Sequence, residues 1–465
     1  MKEERNARLI VAGLRLLATG DDTYVREALD NPTDIPDDRP PRVDFLWEHL
    51  HDLGLINAPL PTLDTQWVGG ARDDQTALDH ALPPRNRRRT SPERNEMTDL
   101  LAAFEHLGKV VRPTAWGNPV DLPAIRAELR ARTGRPGTTD GPRTTWTYEY
   151  PDLDKVPDAI AACEAALKAA DLHEQEVWAL QTVLEEARDV SSEAKNHTAE
   201  RVTGHTSKLH GNITPDDVAA ATKVLRCPAD PGQEKTVDAE GVAEAMRVCL
   251  QRLEIEGWEV VVDPGMAADM SVLGGKHRVK VRADATFAPC AVQQLLVHEI
   301  GTHVLRRHRA EGQRTPVARY AVGSAMRTEE GFAVCRENRA GVNFNARDRV
   351  YAARVLAVDI ALRAGIVDVV DALVEHLDVD TAVGMAVRVK RGMENPHEPG
   401  ANVKDHVYFT GSRMVEEHLK AHPDDLGLLF ATKWPLEELP RVKTLVDAGL
   451  VAPIPPELAD PGIVL

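Results

Sequence analysis

The sequence has few cysteines, and their arrangement excludes two common kinds of site. There are five in 465 residues, and none stands in a C-x-x-C pair. An odd number without such pairs argues against a disulfide framework and against a cysteine-rich zinc knuckle. We therefore expect the protein to work in a reducing compartment, the cytoplasm.

The sequence also lacks a basic excess and a long apolar run. Its net charge of −17 and pI near 5.5 argue against nonspecific binding to nucleic acid or to an anionic membrane. No stretch of about 18 residues is both apolar and uncharged, so we expect no membrane-spanning segment. Residues 1–20 mix acids with bases and show no signal-peptide cleavage pattern.

Breaker-rich stretches divide the chain, whose 465 residues are enough for two or three domains. These stretches read "LPPRNRRRTSPERN" and "RTGRPGTTDGPR". We predict an N-terminal helical region of unknown role at 1–150, with a flexible linker near 60–95. A main domain at 151–425 and a C-terminal helical extension at 426–465 follow.

The main domain is predicted to be α+β and mainly helical. Apolar residues recur at three- and four-residue steps from about 155, which is typical of amphipathic helices. Thr214 is a predicted N-cap, with Pro215 as the first helical residue. "WEVVVDP" and "HRVKVRADATF" predict strands, and Pro289 begins the next helix.

That helix contains "LLVHEIGTHVLRR", residues 295–307. A hydrolytic zinc site needs three protein ligands and a separate carboxylate as general base, and His298, His303 and Glu299 supply two ligands and a base. The histidines are five residues apart, however, so on a straight α-helix they point about 140° apart. A single wider π-turn around Gly301 brings them to one face. Alone, the motif leaves both a metal site and a chance match open.

A second predicted helix, "RTEEGFAVCREN", offers a third ligand. Glu329 and Glu330 lie near its start, where acids also occur simply because they favour the helix dipole. The apolar residues around the HEIGTH motif favour the metal interpretation, because polar groups on a buried helix need partners.

Three motifs in order resemble those of a known family. They are His298–His303, Glu329-Glu330-Gly331-Phe332-Ala333, and the segment from Arg388 to Gly411 that contains Arg391, Lys404, Asp405 and Tyr408. The chain thus resembles the bacterial QEGLA-motif proteins and their relatives, the microtubule-associated tyrosine carboxypeptidases. The resemblance covers about 275–420, with a weaker helical match from near 155. Residues 1–150 resemble nothing known to us.

The resemblance implies a zincin-like metallopeptidase domain with an HExxxH helix and a small sheet. Its implied Zn²⁺ ligands are His298, His303 and Glu330, with Glu299 as the base. Glu329 stands where the family usually has Gln, so its role is open. The strand at 277–287 is expected at a sheet edge, where it either pairs with a substrate backbone or only ends the sheet.

The same resemblance points to residues that bind substrate. Tyr408 is expected to offer its hydroxyl to the tetrahedral intermediate. Arg391 or Lys404, with Arg388 in reserve, is expected to bind a terminal carboxylate, unless these cations only brace loops against acids such as Asp405. Lys390 is assigned to the solvent.

We therefore expect a cytoplasmic zinc-dependent peptidase, in first place a carboxypeptidase acting on peptide or protein C-termini. One alternative is a zinc endopeptidase that cuts a leader from a precursor. Another is a non-catalytic, metal-stabilised regulatory protein. The presence of Glu299 argues against it, because a protein without turnover needs no general base. No nucleic-acid or membrane partner is expected, and the sequence leaves the oligomeric state open.

Overall fold

The computed structural model describes residues 91–111, 118–133, 145–149, 153–193, 195–229, 233–264, 266, 269–343 and 345–455. The first 90 residues of the predicted N-terminal region, and with them most of the predicted linker, lie outside these residues. The end of that linker, 91–95, already belongs to the first described helix. The predicted domain boundaries stay a prediction.

The described part is mainly helical, with two small sheets. Its α-helices are α1 (Ser91–Val111), α2 (Leu122–Arg132), α3 (Val156–Ala169), α4 (Glu174–Glu193), α5 (Ala199–His210), α6 (Pro215–Arg226), α7 (Ala239–Arg252), α8 (Pro289–Leu295), α9 (Leu305–Glu311), α10 (Ala325–Arg339), α11 (Asn345–Ala361), α12 (Ile366–Leu373), α13 (Val379–Lys390), α14 (Val407–Ala421), α15 (Leu426–Ala431) and α16 (Leu439–Asp447). The strands are β1 (Val237–Asp238), β2 (Glu259–Asp263), β3 (Met270–Leu273), β4 (Arg278–Arg282) and β5 (Thr286–Phe287).

Local sequence signals explain several helix starts. At α6, the Thr214 side chain accepts from the Asp217 backbone N–H, and the Asp217 side chain accepts from the Thr214 N–H. This capping box confirms the predicted start at Pro215. The predicted helix start at Pro289 is also confirmed.

The three-stranded sheet has the order β2–β4–β3. β2 runs parallel to β4, with Val260 opposite Val279, and β3 runs antiparallel to β4, with Val272 opposite Val279. The expectation that the 277–287 strand is a sheet edge is therefore wrong for β4, because both of its sides are paired. The edge strand that contacts the HEIGTH segment is β3, which the sequence analysis missed.

The described residues form two hydrophobic cores. The first contains α1, α3, α4, α7, both small sheets, the HEIGTH segment and residues 426–454. The second is built by α2, α6, α11, α12 and α13 together with Ala401 and Val403. None of the helices in the described part of the chain combines the length and apolar content that crossing a bilayer requires.

Candidate metal centre

The HEIGTH segment is a π-helix over Leu296–Val304, between α8 and α9. The Leu305 N–H donates to Ile300 O, and Thr302 Oγ1 donates to Val297 O at 2.9 Å, both five residues back. The wider turn brings the imidazole centroids of His298 and His303 to 4.8 Å from each other. The predicted helix distortion near Gly301 is therefore confirmed, and its effect is to place both histidines on one side.

Glu330 on α10 completes a three-residue cluster. Its Oε2 lies 3.4 Å from His298 Nε2 and 3.5 Å from His303 Nε2. Candidate ligand atoms of the three residues all lie within 4.8 Å of one another. Ligands at 2.0–2.1 Å from a tetrahedral Zn²⁺ lie about 3.3–3.4 Å apart. The two imidazoles and the carboxylate thus fit a zinc ion by donor type and by spacing.

A carboxylate fixes the other nitrogen of each imidazole. His298 Nδ1 lies 2.5 Å from Glu337 Oε1, and His303 Nδ1 lies 2.7 Å from Glu329 Oε1. A proton on each Nδ1 donates to its carboxylate and leaves the Nε2 lone pair directed at Glu330. Carboxylates in this position orient metal-binding imidazoles and make them better donors.

The electrostatics of the cluster favour a positive charge between the three side chains. Burial lowers the pKa of His298, but hydrogen bonds to Glu330 and Glu337 outweigh it and raise the pKa to about 10. For His303 the bonds to Glu329 and Glu330 overcome burial in the same way, and the pKa rises to about 8. Although burial by itself raises the pKa of Glu330, the two imidazoles hold it well below its usual range.

A close crossing of α10 and α14 places Tyr408 beside this cluster. A Cβ on Gly331 would lie 2.2 Å from the Gly411 carbonyl carbon, so only glycine permits this approach. At the start of α14, the Tyr408 ring stacks on Tyr351 with centroids 5.5 Å apart, and it lies 6.4 Å from the His298 ring. Burial and the neighbouring Glu330 carboxylate raise the pKa of Tyr408, which keeps its hydroxyl protonated as a donor.

The three cations singled out in the sequence lie in the chain close to valines of the second core and differ in their partners. Arg388 binds Asp405 through two hydrogen bonds of 2.6 and 2.7 Å, which is the bracing role. Among the described residues, the side chains of Arg391 and Lys404 have no hydrogen-bond or ion-pair partner. Burial lowers the pKa of Lys404, and the Glu330 carboxylate partly opposes this, so the ammonium group lies within electrostatic reach of the cluster.

The sequence was compared with models of known protein families. The model described as microtubule-associated tyrosine carboxypeptidase matches residues 152–461. The chain belongs to this family. The match begins close to the start expected near 155, and it contains all the residues of the cluster. A search of curated proteins finds no significant match.

Glu337 is a residue of the site that was not predicted from the sequence. Its side chain is fully buried and accepts from Gln294 Nε2 at 2.8 Å and from the Tyr351 hydroxyl at 3.1 Å. The sequence did contain a signal for it, because Glu337 lies seven residues after Glu330 and therefore on the same face of α10.

Lys390 was expected in solvent, and this expectation is wrong. Its side chain is fully buried, and Nζ donates to the carbonyl oxygens of Ala361, Ala364, Glu398 and Gly400 at 2.7–3.0 Å. The ammonium group joins the end of α13 to the loop that leads to Lys404. Lys390 is therefore part of the framework that positions the neighbouring Arg391.

Proposed function

We propose that this chain is a zinc-dependent carboxypeptidase with a zincin-like catalytic domain, working in the cytoplasm. The observation that carries the proposal is the convergence of His298, His303 and Glu330, with two Nε2–Oε2 distances of 3.4 and 3.5 Å. Membership in a carboxypeptidase family supports the same reaction. All five cysteines are free thiols, which suits a reducing compartment.

A Zn²⁺ ion held by these three residues would supply a Lewis acid for the scissile carbonyl and lower the pKa of a bound water. Glu299 follows His298 in the π-helix and is half-buried. Its carboxylate accepts the proton of the attacking water and returns it to the leaving amine. The Tyr408 hydroxyl donates to the oxygen on which negative charge develops.

Recognition of the substrate terminus falls to Arg391 and Lys404. A substrate α-carboxylate would pair with these two cations, since the described residues leave both without an ion-pair partner. Arg388 takes no direct part in this model of binding, because Asp405 already occupies its guanidinium group. Two cations without partners among the described residues favour a carboxypeptidase over an endopeptidase, whose substrate has no charge at this position.

The substrate backbone is expected to lie along β3. In the part of the chain that the structure describes, this strand contacts the HEIGTH segment and pairs only with β4, so its other side could add an extended peptide. The family description names tyrosine as the residue removed, and a peptide that ends in tyrosine is therefore the first substrate to test.

The test compares one such peptide with a free and with an amidated C-terminus. We expect the parent enzyme to cleave the free acid far faster, with one residue released. Arg391→Ala should lower kcat/KM for the free acid about 10- to 150-fold. This corresponds to a loss of about 1.5–3 kcal/mol of transition-state stabilisation, because hydrogen bonds to a charged group are lost. The amidated peptide should hardly respond to this change.

Arg363→Ala is a matched control, because among the described residues this exposed arginine pairs only with Asp359, four residues earlier. Its kcat/KM should stay at the parental value. Equal cleavage of free and amidated peptides by the parent enzyme would reject the carboxypeptidase and favour the endopeptidase. Zinc binding without any hydrolysis would favour the non-catalytic protein.

A further inference from the structure

Glu329 lies between a proposed metal ligand and two cations. Its Oε1 faces His303 Nδ1 at 2.7 Å, and its carboxylate also pairs with Arg306 and Lys433. The residue is only 9% exposed, so water and salt screen these three contacts little. A buried carboxylate with this set of partners is held in one orientation.

Arg306 and Lys433 tie this carboxylate to a distant part of the chain. The fully buried Arg306 follows His303 by one helical turn and donates to Leu429 O at 2.7 Å and to Thr432 O at 2.9 Å. Lys433 belongs to the same segment, residues 429–434. The segment therefore supplies one of the cations that hold Glu329 and fixes the other.

The hydrogen bond from His303 to Glu329 has a consequence for metal binding. Only the tautomer with its proton on Nδ1 leaves the Nε2 lone pair free, and a carboxylate at Nδ1 selects that tautomer. His303 Nε2 is the atom that lies 3.5 Å from Glu330 Oε2. A weaker acceptor at position 329 would favour this tautomer less and would let the ring turn.

We propose that Glu329 is a positioning residue for His303, and that Arg306 and Lys433 hold it in place. Through them, segment 429–434 sets the orientation of one metal ligand. This inference rests on the proposed zinc site. The competing explanation is that Glu329 only neutralises buried cations and has no effect on the metal.

The test measures zinc affinity of the metal-free protein by competition with a chromophoric chelator, together with its stability in urea. Glu329→Gln should weaken zinc binding about 10- to 100-fold, the usual effect of losing such a partner. It should also lower stability, because the Lys433 ammonium and the buried Arg306 guanidinium both lose their carboxylate partner. In Glu329→Gln/Lys433→Met the part of the stability that Lys433 cost should return, while zinc affinity stays low.

Lys433→Met keeps the bond between His303 and Glu329 but removes one of the two cations that hold the carboxylate. It should therefore weaken zinc binding, but less than Glu329→Gln does. Glu416→Gln serves as a control, because the one ion pair of this partly exposed acid within the described part of the chain is with Lys420 on the same helix, at 3.6 Å. It should match the parent in affinity and stability.

Three outcomes would overturn the inference: parental zinc affinity in both Glu329 variants, affinity that recovers with stability in the double variant, or parental zinc affinity in Lys433→Met. If Glu329→Gln does not fold, the double variant and Lys433→Met decide between the two explanations. A parent protein that binds no zinc would instead reject the proposed function.

Discussion

Gly331→Ala tests how the crossing of α10 and α14 builds the site. The added Cβ would lie 2.2 Å from the carbonyl carbon and 2.6 Å from the carbonyl oxygen of Gly411, where ordinary contacts are 3.4–4 Å. The two helices would have to separate by about 1 Å, and overpacking of this kind costs about 1–3 kcal/mol. Tyr408 lies one helical turn before Gly411, so the separation would also move its hydroxyl away from Glu330.

The assay measures the free energy of unfolding in urea and kcat on a peptide substrate. Gly384→Ala in α13 is the control, because a Cβ there meets nothing within 4 Å. Alanine is the better helix former, so this control should be neutral or more stable by up to about 1 kcal/mol. Parental stability and parental kcat in Gly331→Ala would refute the reasoning.

Two further substitutions test the roles of single side chains. Glu299→Gln should keep bound zinc but lower kcat by about 10² to 10⁴-fold, because the amide preserves the shape of the side chain and cannot accept a proton. Hydrolysis at the parental rate with zinc bound would exclude Glu299 as the base. Lys390→Met should lower the free energy of unfolding by at least about 2 kcal/mol, since four buried carbonyl oxygens lose a donor. The control is Lys420→Met, because the side chain of Lys420 is 73% exposed, and it should change the free energy of unfolding little. Equal losses of stability in the two variants would contradict the buried role of Lys390.

Local sequence patterns were sufficient where neighbours along the chain decide the structure. The five-residue spacing of His298 and His303 predicted a distorted helix, because two imidazoles can meet on one helix only if a turn widens. Thr214 and Pro215 predicted the start of α6, because a capping box involves only residues three apart.

The sequence patterns failed where distant segments meet. β4 was expected at an edge, but its position depends on β2 and β3 pairing with its two sides, which no pattern within the strand encodes. Lys390 looked like a surface residue by type, because the four carbonyl groups around its ammonium come from distant parts of the chain, 361–364 and 398–400. The partners of Glu329 were missed for the same reason, whereas Glu337 was missed although its seven-residue spacing from Glu330 within α10 was a local signal.

The proposal depends most directly on whether zinc is bound at the cluster. We predict one Zn²⁺ per chain by elemental analysis of the purified protein. Anomalous scattering at the zinc edge should place the ion among His298 Nε2, His303 Nε2 and the Glu330 carboxylate. A protein that retains no zinc, or an ion held at other residues while these three side chains stay unligated, would contradict the account.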